Sequence, residues 1–278
     1  MKLSRPSARL LACGLLLASL AACARTAPPA RPAEGVHPLP LWLPGHARPL
    51  AVRANLVGGL VVAGGDVVLG EVPEATGLGP LANVSPRRSH RWPGGRVPYR
   101  IDASVSAEGR RNIGEAIWQW ERATAYRFVP RSGQASFVTF TRGPSAGACY
   151  SWVGRQGGEQ FVYLTSSGSC SRRSLVHELG HTVGLWHEHA RSDRDAWVRV
   201  DYANVAGAHA HYFDKVGGAG ADRGPYDYCS VMHYPPHAFS KNARPTLRLL
   251  RPPRCPQAVG EADRLSPGDV AAAEQLLR

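Results

Sequence analysis

The chain has 278 residues, 44% of them hydrophobic, which suffices for one sizeable domain or two small ones and excludes disorder throughout. A formal net charge of +12 at pH 7 would suit an acidic partner such as nucleic acid, an anionic glycan or a membrane surface. The arginines are scattered or paired, without a dense block or an arginine–aromatic ladder, so no nucleic-acid partner is expected.

The first residues, MKLSRPSARLLACGLLLASLAAC, begin basic at Lys2, Arg5 and Arg9, run apolar from Leu10 to Leu20, and end in small residues. That pattern is an export signal, too short for a comfortable membrane span. Leu20-Ala21-Ala22-Cys23 resembles the lipobox of bacterial lipoproteins, so residues 1–22 are read as a signal peptide and Cys23 as the lipidated residue. An ordinary signal peptide with an incidental cysteine is the alternative. Residues 23–88 form a second unit. From Ala24 to Pro49 the sequence is rich in Pro and Ala, as an extended tether would be. Leu56 to Leu69, LVGGLVVAGGDVVL, reads as strand fragments joined by Gly turns. The dibasic Arg87-Arg88 then marks an exposed boundary open to a trypsin-like protease.

Residues 89–278 are denser and more regular. RVPYRID reads as a strand, with Pro98 placing it at a sheet edge or at the strand's start. Ser106 caps a helix in which Ile113, Ala116, Ile117 and Trp120 make one apolar face. SFVTFT and QFVYLT are β-branched and aromatic, hence strands. A second long helix is predicted over Ser171 to Trp186, with Val176, Leu179 and Val183 buried. Ser266 and Pro267 introduce a terminal helix. Cys13 and Cys23 belong to the signal, which leaves Cys149, Cys170, Cys229 and Cys255 for two disulfides. Four cysteines permit three pairings; proximity along the chain favours Cys149 with Cys170 and Cys229 with Cys255. The absence of a CxxC pair argues against a thiolate zinc ribbon.

The stretch HELGHTVGLWH, residues 177–187, concentrates the chemistry. His177 and His181 are four apart, about one helical turn, and can hold one metal ion from one face. Glu178 projects beside that ion, where a carboxylate can take a proton from water. Gly184 can adopt the positive φ that ends the helix, and the reversed chain can bring His187 back to the same ion. Three neutral imidazoles with an open position describe a catalytic zinc site rather than a structural one. His189, His209, His211, His233 and His237 are expected at exposed positions or in simple hydrogen bonds.

HELGHTVGLWHEHARSDRD resembles the astacin family of metzincin metalloproteases, whose signature reads HExxHxxGFxHExxRxDRD, and SVMHY, Ser230 to Tyr234, resembles that family's Met-turn. RWPGGRVPYRID, AIWQWERATAYRFVPR, CYSWVGRQGGEQFVYL and PYDYCSVMHYPPHAFSKNARPT follow the family pattern too. The resemblance implies an α+β fold of two subdomains: a mixed twisted sheet with two long helices in the first, and an irregular second ending in a helix. It implies that His177, His181 and His187 bind Zn2+, that Glu178 is the general base, and that Met232 forms an apolar floor. Tyr234 would be an additional zinc ligand at rest and would swing away to bind the reaction's oxyanion. Glu188 would be approached by the amino terminus of a processed chain. The implied activity is peptide-bond hydrolysis by a monomer, with protein or peptide substrates bound as an extended strand along the edge near QFVYL.

GGDVVLG, with Asp66, resembles the inhibitory prosegment motif of the family, whose aspartate occupies the zinc. Its removal is expected between Asp66 and Trp92, most readily at Arg87 to Arg91. The protein would then be exported from a bacterial cell, membrane-anchored through Cys23 or secreted once the prosegment is cut. The chain departs from the family at Ala125, where animal members carry a cysteine, so a local Cys229–Cys255 link is expected instead of their long-range disulfide. Trp197 stands where tyrosine is common. A different reading is a catalytically silent zinc-binding or adhesion lipoprotein on the same scaffold; intact Glu178 and Tyr234 favour the enzyme.

Overall fold

A computed structural model describes residues 36–41, 50–71, 90–216 and 222–278. Residues 1–22, read above as a signal peptide, Cys23 and Arg87-Arg88 lie outside these residues. The amino-terminal strands are β1 (Val36–Leu41), β2 (Leu50–Val57), β3 (Leu60–Ala63) and β4 (Val67–Glu71). They are followed by β5 (Arg96–Ile101), α1 (Ala107–Ala123), β6 (Arg127–Pro130), β7 (Phe137–Arg142), β8 (Tyr150–Trp152), β9 (Glu159–Leu164) and α2 (Arg172–Val183). β10 (Val198–Val200), β11 (Leu247–Leu249) and α3 (Pro267–Leu277) complete the regular structure.

Nine strands form one mixed sheet in the order β1-β2-β3-β4-β8-β9-β7-β5-β6. β1 to β4 are an antiparallel meander, and β4 joins the rest by running parallel to β8, with Val67 opposite Ser151 and Val68 opposite Trp152. β8 and β9 are antiparallel, whereas β9, β7, β5 and β6 are mutually parallel. The stretch expected as a tether therefore contains a paired strand. Pro38 and Pro40 share one parity, so their missing N–H groups fall on one side, which the edge strand β1 can leave unpaired. Pro98 is not on an edge strand, because β5 lies between β6 and β7. It is tolerated because pairing with β7 begins only at Tyr99.

Ser106 caps α1 by accepting from Gly109 N–H, and Ser171 caps α2 by accepting from Ser174 N–H. α2 ends at Val183 rather than Trp186, since Gly184 takes the left-handed cap. The α1 face of Ile113, Ala116, Ile117 and Trp120 packs with Leu175, Val176, Leu179 and Val183 of α2 and with Val97, Val138, Phe140, Val162 and Leu164 of the sheet. Trp120 is fully buried and its indole N–H donates to the Val176 carbonyl at 2.9 Å, so this large core side chain leaves no polar group unsatisfied. The Cys149–Cys170 disulfide ties the start of β8 to the start of α2. Beyond α2 the chain is mostly irregular, built on an aromatic core that includes Tyr212, Phe213, Tyr226 and Tyr234, with the two-stranded β10–β11 ladder and the Cys229–Cys255 disulfide. α3 closes it with a Ser266–Asp269 capping box. The fold is mixed α+β.

Candidate active site

His177, Glu178 and His181 leave α2 within about one turn of each other. The helix stops at Gly184, φ 118°, whose N–H closes on the Gly180 and His181 carbonyls at 3.2 and 2.8 Å. Leu185 N–H returns to the Gly180 carbonyl at 2.9 Å, which turns the chain back and sets His187 against the helix. The three imidazole centroids then lie 4.7, 4.8 and 5.2 Å from one another. Beneath them sits Met232, 1% exposed; a Cβ at position 180 would overlap its sulfur, so Gly180 is what lets the methionine seat under the helix. The Met232 carbonyl accepts from Glu188 N–H at 3.0 Å, joining this turn to the chain just past His187.

The orientation of the His177 and His181 imidazoles is fixed from behind. His177 Nδ1 lies 2.7 Å from the Val231 carbonyl and His181 Nδ1 lies 2.8 Å from the Leu185 carbonyl. A carbonyl only accepts, so each Nδ1 carries the proton and each Nε2 presents a lone pair to the centre. Into that centre the turn between β3 and β4 delivers Asp66, whose carboxylate oxygens stand 3.3, 3.5 and 2.9 Å from Nε2 of His177, His181 and His187. These four side chains offer ligand atoms all within 4.8 Å of one another. His181 Nε2, Asp66 Oδ1 and Glu178 Oε2 are buried without a hydrogen-bond partner, and the unpartnered lone pairs among the His177, His181, His187 and Asp66 group fit a cation held between them. Nitrogen and carboxylate donors in this number suit zinc.

Burial lowers the His181 imidazole to about 4, although the neighbouring Asp66 opposes the shift. Burial would lower His177 as well, but its contact with Asp66 more than offsets it and holds the group above the usual value. The Asp66 carboxyl is driven the other way: burial would raise it, yet the surrounding imidazoles hold it well below the carboxylate range. Glu178 is 3% exposed, and burial, then the nearby Asp66 charge, pushes it well above that range.

Tyr234 packs beside the histidines, with its hydroxyl engaged by the amino-terminal meander. Its hydroxyl donates to the Gly64 carbonyl, because the Gly64-Gly65-Asp66 turn fills the space in front of it; a Cβ on Gly65 would lie 2.7 Å from that hydroxyl. The tyrosine ring stacks on His189 at 3.8 Å and lies 4.9 Å from His187. His189 is thus no surface residue: its exposure is 0%, and it is enclosed by Tyr234, His187 and Phe213. His233 is buried too, accepting from the Tyr226 hydroxyl at 2.7 Å and donating to the Tyr234 carbonyl at 2.6 Å. Glu188 accepts from Asp227 N–H at 2.8 Å, and burial raises its carboxyl to about 8. It faces a small cleft shared with Asp227 and Asp269.

The expected substrate edge needs correction. β9, which contains QFVYL, is interior, between β8 and β7; β8 lies outside it, and β4 covers β8. Sequence reasoning also missed Asp269, which holds the Met-turn by accepting from Ser230 Oγ at 2.6 Å and Val231 N–H at 3.0 Å. Its only local signal was the capping box of α3.

Residues 84–278 match the family model described as Astacin (Peptidase family M12A). Zinc metalloproteinase nas-6 of Caenorhabditis elegans is 36% identical over 198 residues, covering 70% of this chain and 56% of its own length. Tolloid-like protein 1 of Homo sapiens is 36% identical over 200 residues, covering 69% of this chain and 19% of its own. The chain therefore spans about half or less of these relatives. Among solved structures, high choriolytic enzyme 1, a hatching enzyme zinc-protease from the medaka fish Oryzias latipes, superposes with a TM-score of 0.57 at 31% identity, over 67% of this chain and 92% of that one.

Proposed function

The chain belongs to the astacin family, peptidase family M12A, and from that premise we propose that it is an exported zinc metalloendopeptidase made as a latent proenzyme. The observation that carries this reading is the convergence of His177, His181, His187 and Asp66 beside the buried, unpartnered Glu178. The three histidines would hold the metal. Zinc supplies, when bound, a Lewis acid that makes a water nucleophilic near neutral pH.

Glu178 is the group that takes the proton of the attacking water and returns it to the leaving amine. Tyr234, once released from the Gly64 carbonyl, would help to hold the metal at rest, and its hydroxyl would donate to the oxyanion. Proteins or peptides bind as a strand added to β8, whose backbone groups then pair with the substrate.

Residues 23–88 are the prosegment and 89–278 the catalytic domain. Latency follows from two overlaps: Asp66 occupies the histidine centre, and β4 occupies the edge that a substrate needs. Cutting near Arg87 to Arg91 frees both, and the new amino terminus approaches Glu188. An export signal ending at Cys23, with lipid attachment there, places the proenzyme outside a bacterial inner membrane; the two disulfides accord with an oxidising compartment.

The test uses the full chain, cut by an immobilised trypsin-like protease that is then removed, with casein as substrate. Hydrolysis should vanish with a chelator and return with added zinc. Zinc bound without hydrolysis under any condition would instead favour the silent binding lipoprotein.

A further inference from the structure

A small cavity, about 40 Å³ with the meander in place, lies against the histidine centre, between the amino-terminal meander and the second half of the domain. On the catalytic side its wall is apolar at Trp186, Ala190 and Val216 and polar at His211, Tyr212 and Asp214; His187 forms its inner end. From the meander, Val67 opens into it, one residue after the carboxylate that touches the three imidazoles. Arg53 of β2 reaches its outer end and forms a two-pronged pair with Asp214, Nε to Oδ2 at 2.8 Å and a terminal nitrogen to Oδ1 at 2.6 Å. Asn55, on the same side of β2, donates to the Tyr212 hydroxyl at 2.6 Å.

We propose that, once the meander leaves, this wall is a side-chain subsite that selects arginine or lysine next to the scissile bond, with Asp214 as the specificity-determining residue. The inference rests on the protease reading above. A peptide lying where β4 lies places the residue beside the metal-facing position into this cavity, as Val67 shows. Trp186, Ala190 and Val216 fit the aliphatic stem of a long basic side chain, and Asp214 fits its cationic head. Arg53 already displays that recognition from another strand, and its departure leaves Asp214 without this partner.

The other charges nearby do not cancel the carboxylate. Lys215 lines the same cavity, but its ammonium is held by Asp195 at 2.5 Å and by the Ser192 carbonyl at 3.1 Å. His211 is 3% exposed, its Nε2 has no hydrogen-bond partner, and burial lowers its pKa, so it contributes a neutral ring.

The experiment is a cleavage profile of the processed enzyme on a mixed peptide library, read as new termini by mass spectrometry, for wild type, Asp214→Asn and Asp214→Lys. Matched peptides with Arg or norleucine at the selected position give the preference ratio. The expected wild-type result is enrichment of Arg and Lys at one fixed position flanking the cut. Asp214→Asn should lower the Arg-to-norleucine ratio of kcat/KM by roughly tenfold or more, and Asp214→Lys should shift the preference to Glu and Asp. Cleavage by the wild type without basic enrichment, or enrichment that survives Asp214→Lys, overturns the subsite while leaving the protease reading intact. No cleavage by zinc-loaded wild type overturns both.

Discussion

Replacing Asp66 by alanine in the uncut chain isolates one contact of the proposed latent state. Its carboxylate faces three imidazole nitrogens at 2.9 to 3.5 Å, inside a buried centre. Interactions of an ionised group in such a centre contribute about 1.5–3 kcal/mol, on the scale of those in which one partner is charged, and every ~1.4 kcal/mol is a factor of ten. The open, substrate-accessible fraction of the uncut variant should therefore rise roughly 10- to 150-fold. It should remain below that of the processed enzyme, because Val61, Val67, Val68 and Leu69 of the meander stay buried and β4 keeps its pairing with β8. Arg53→Ala breaks an ion pair whose side chains are 48% and 36% exposed, and such pairs contribute about 1 kcal/mol at most, so its effect should be no more than about fivefold. The assay is the initial rate on a quenched fluorescent peptide, with electrophoresis at the end point to show that the chain is still uncut. An unchanged rate in Asp66→Ala, or a larger rise in Arg53→Ala, would refute the assignment of latency to the carboxylate.

Four further outcomes follow from the packing and the site. Gly180→Ala puts a methyl group against the Met232 sulfur, and overpacking of this kind costs about 1–3 kcal/mol, a loss of roughly 2–12 °C in melting temperature; Met232→Ala in the same chain should recover part of it. Asp269→Ala strips partners from Ser230 Oγ and Val231 N–H, so urea unfolding should show a loss of about 2–5 kcal/mol and the metal should dissociate faster. Tyr234→Phe keeps the ring on His189 but removes the hydroxyl; processed enzyme should bind zinc normally and lose about 10²-fold or more in kcat. Replacing Cys149 and Cys170 by serine opens a link that spans 21 residues, with an expected cost of about 3 kcal/mol in chemical denaturation.

Local spacing made part of this molecule legible. His177, His181 and Gly184 could be assigned because helix periodicity and the left-handed cap act within one or two turns, and Ser106, Ser171 and Ser266 announced their helices in the same way. What escaped depends on residues distant in the chain. His189 reads as a surface residue until the Tyr212–Phe213 segment and Tyr234 are folded over it. Asp269 serves a local cap and, through the packing of α3, a turn nearly forty residues earlier. Strand order is equally non-local: nothing within QFVYL reveals that β8 lies outside it, or that β4 covers β8. The strand hidden in the Pro-rich stretch became intelligible only once β1 was seen to be an edge.

If the three histidines hold a zinc ion at which Glu178 moves the proton of peptide hydrolysis, processed wild type and processed Glu178→Gln should differ in casein hydrolysis at equal, measured zinc content. Zinc should be similar in both, and the variant should lose about 10²-fold or more. Equal hydrolysis by the two proteins, or hydrolysis by a wild type that holds no zinc, would overturn these roles.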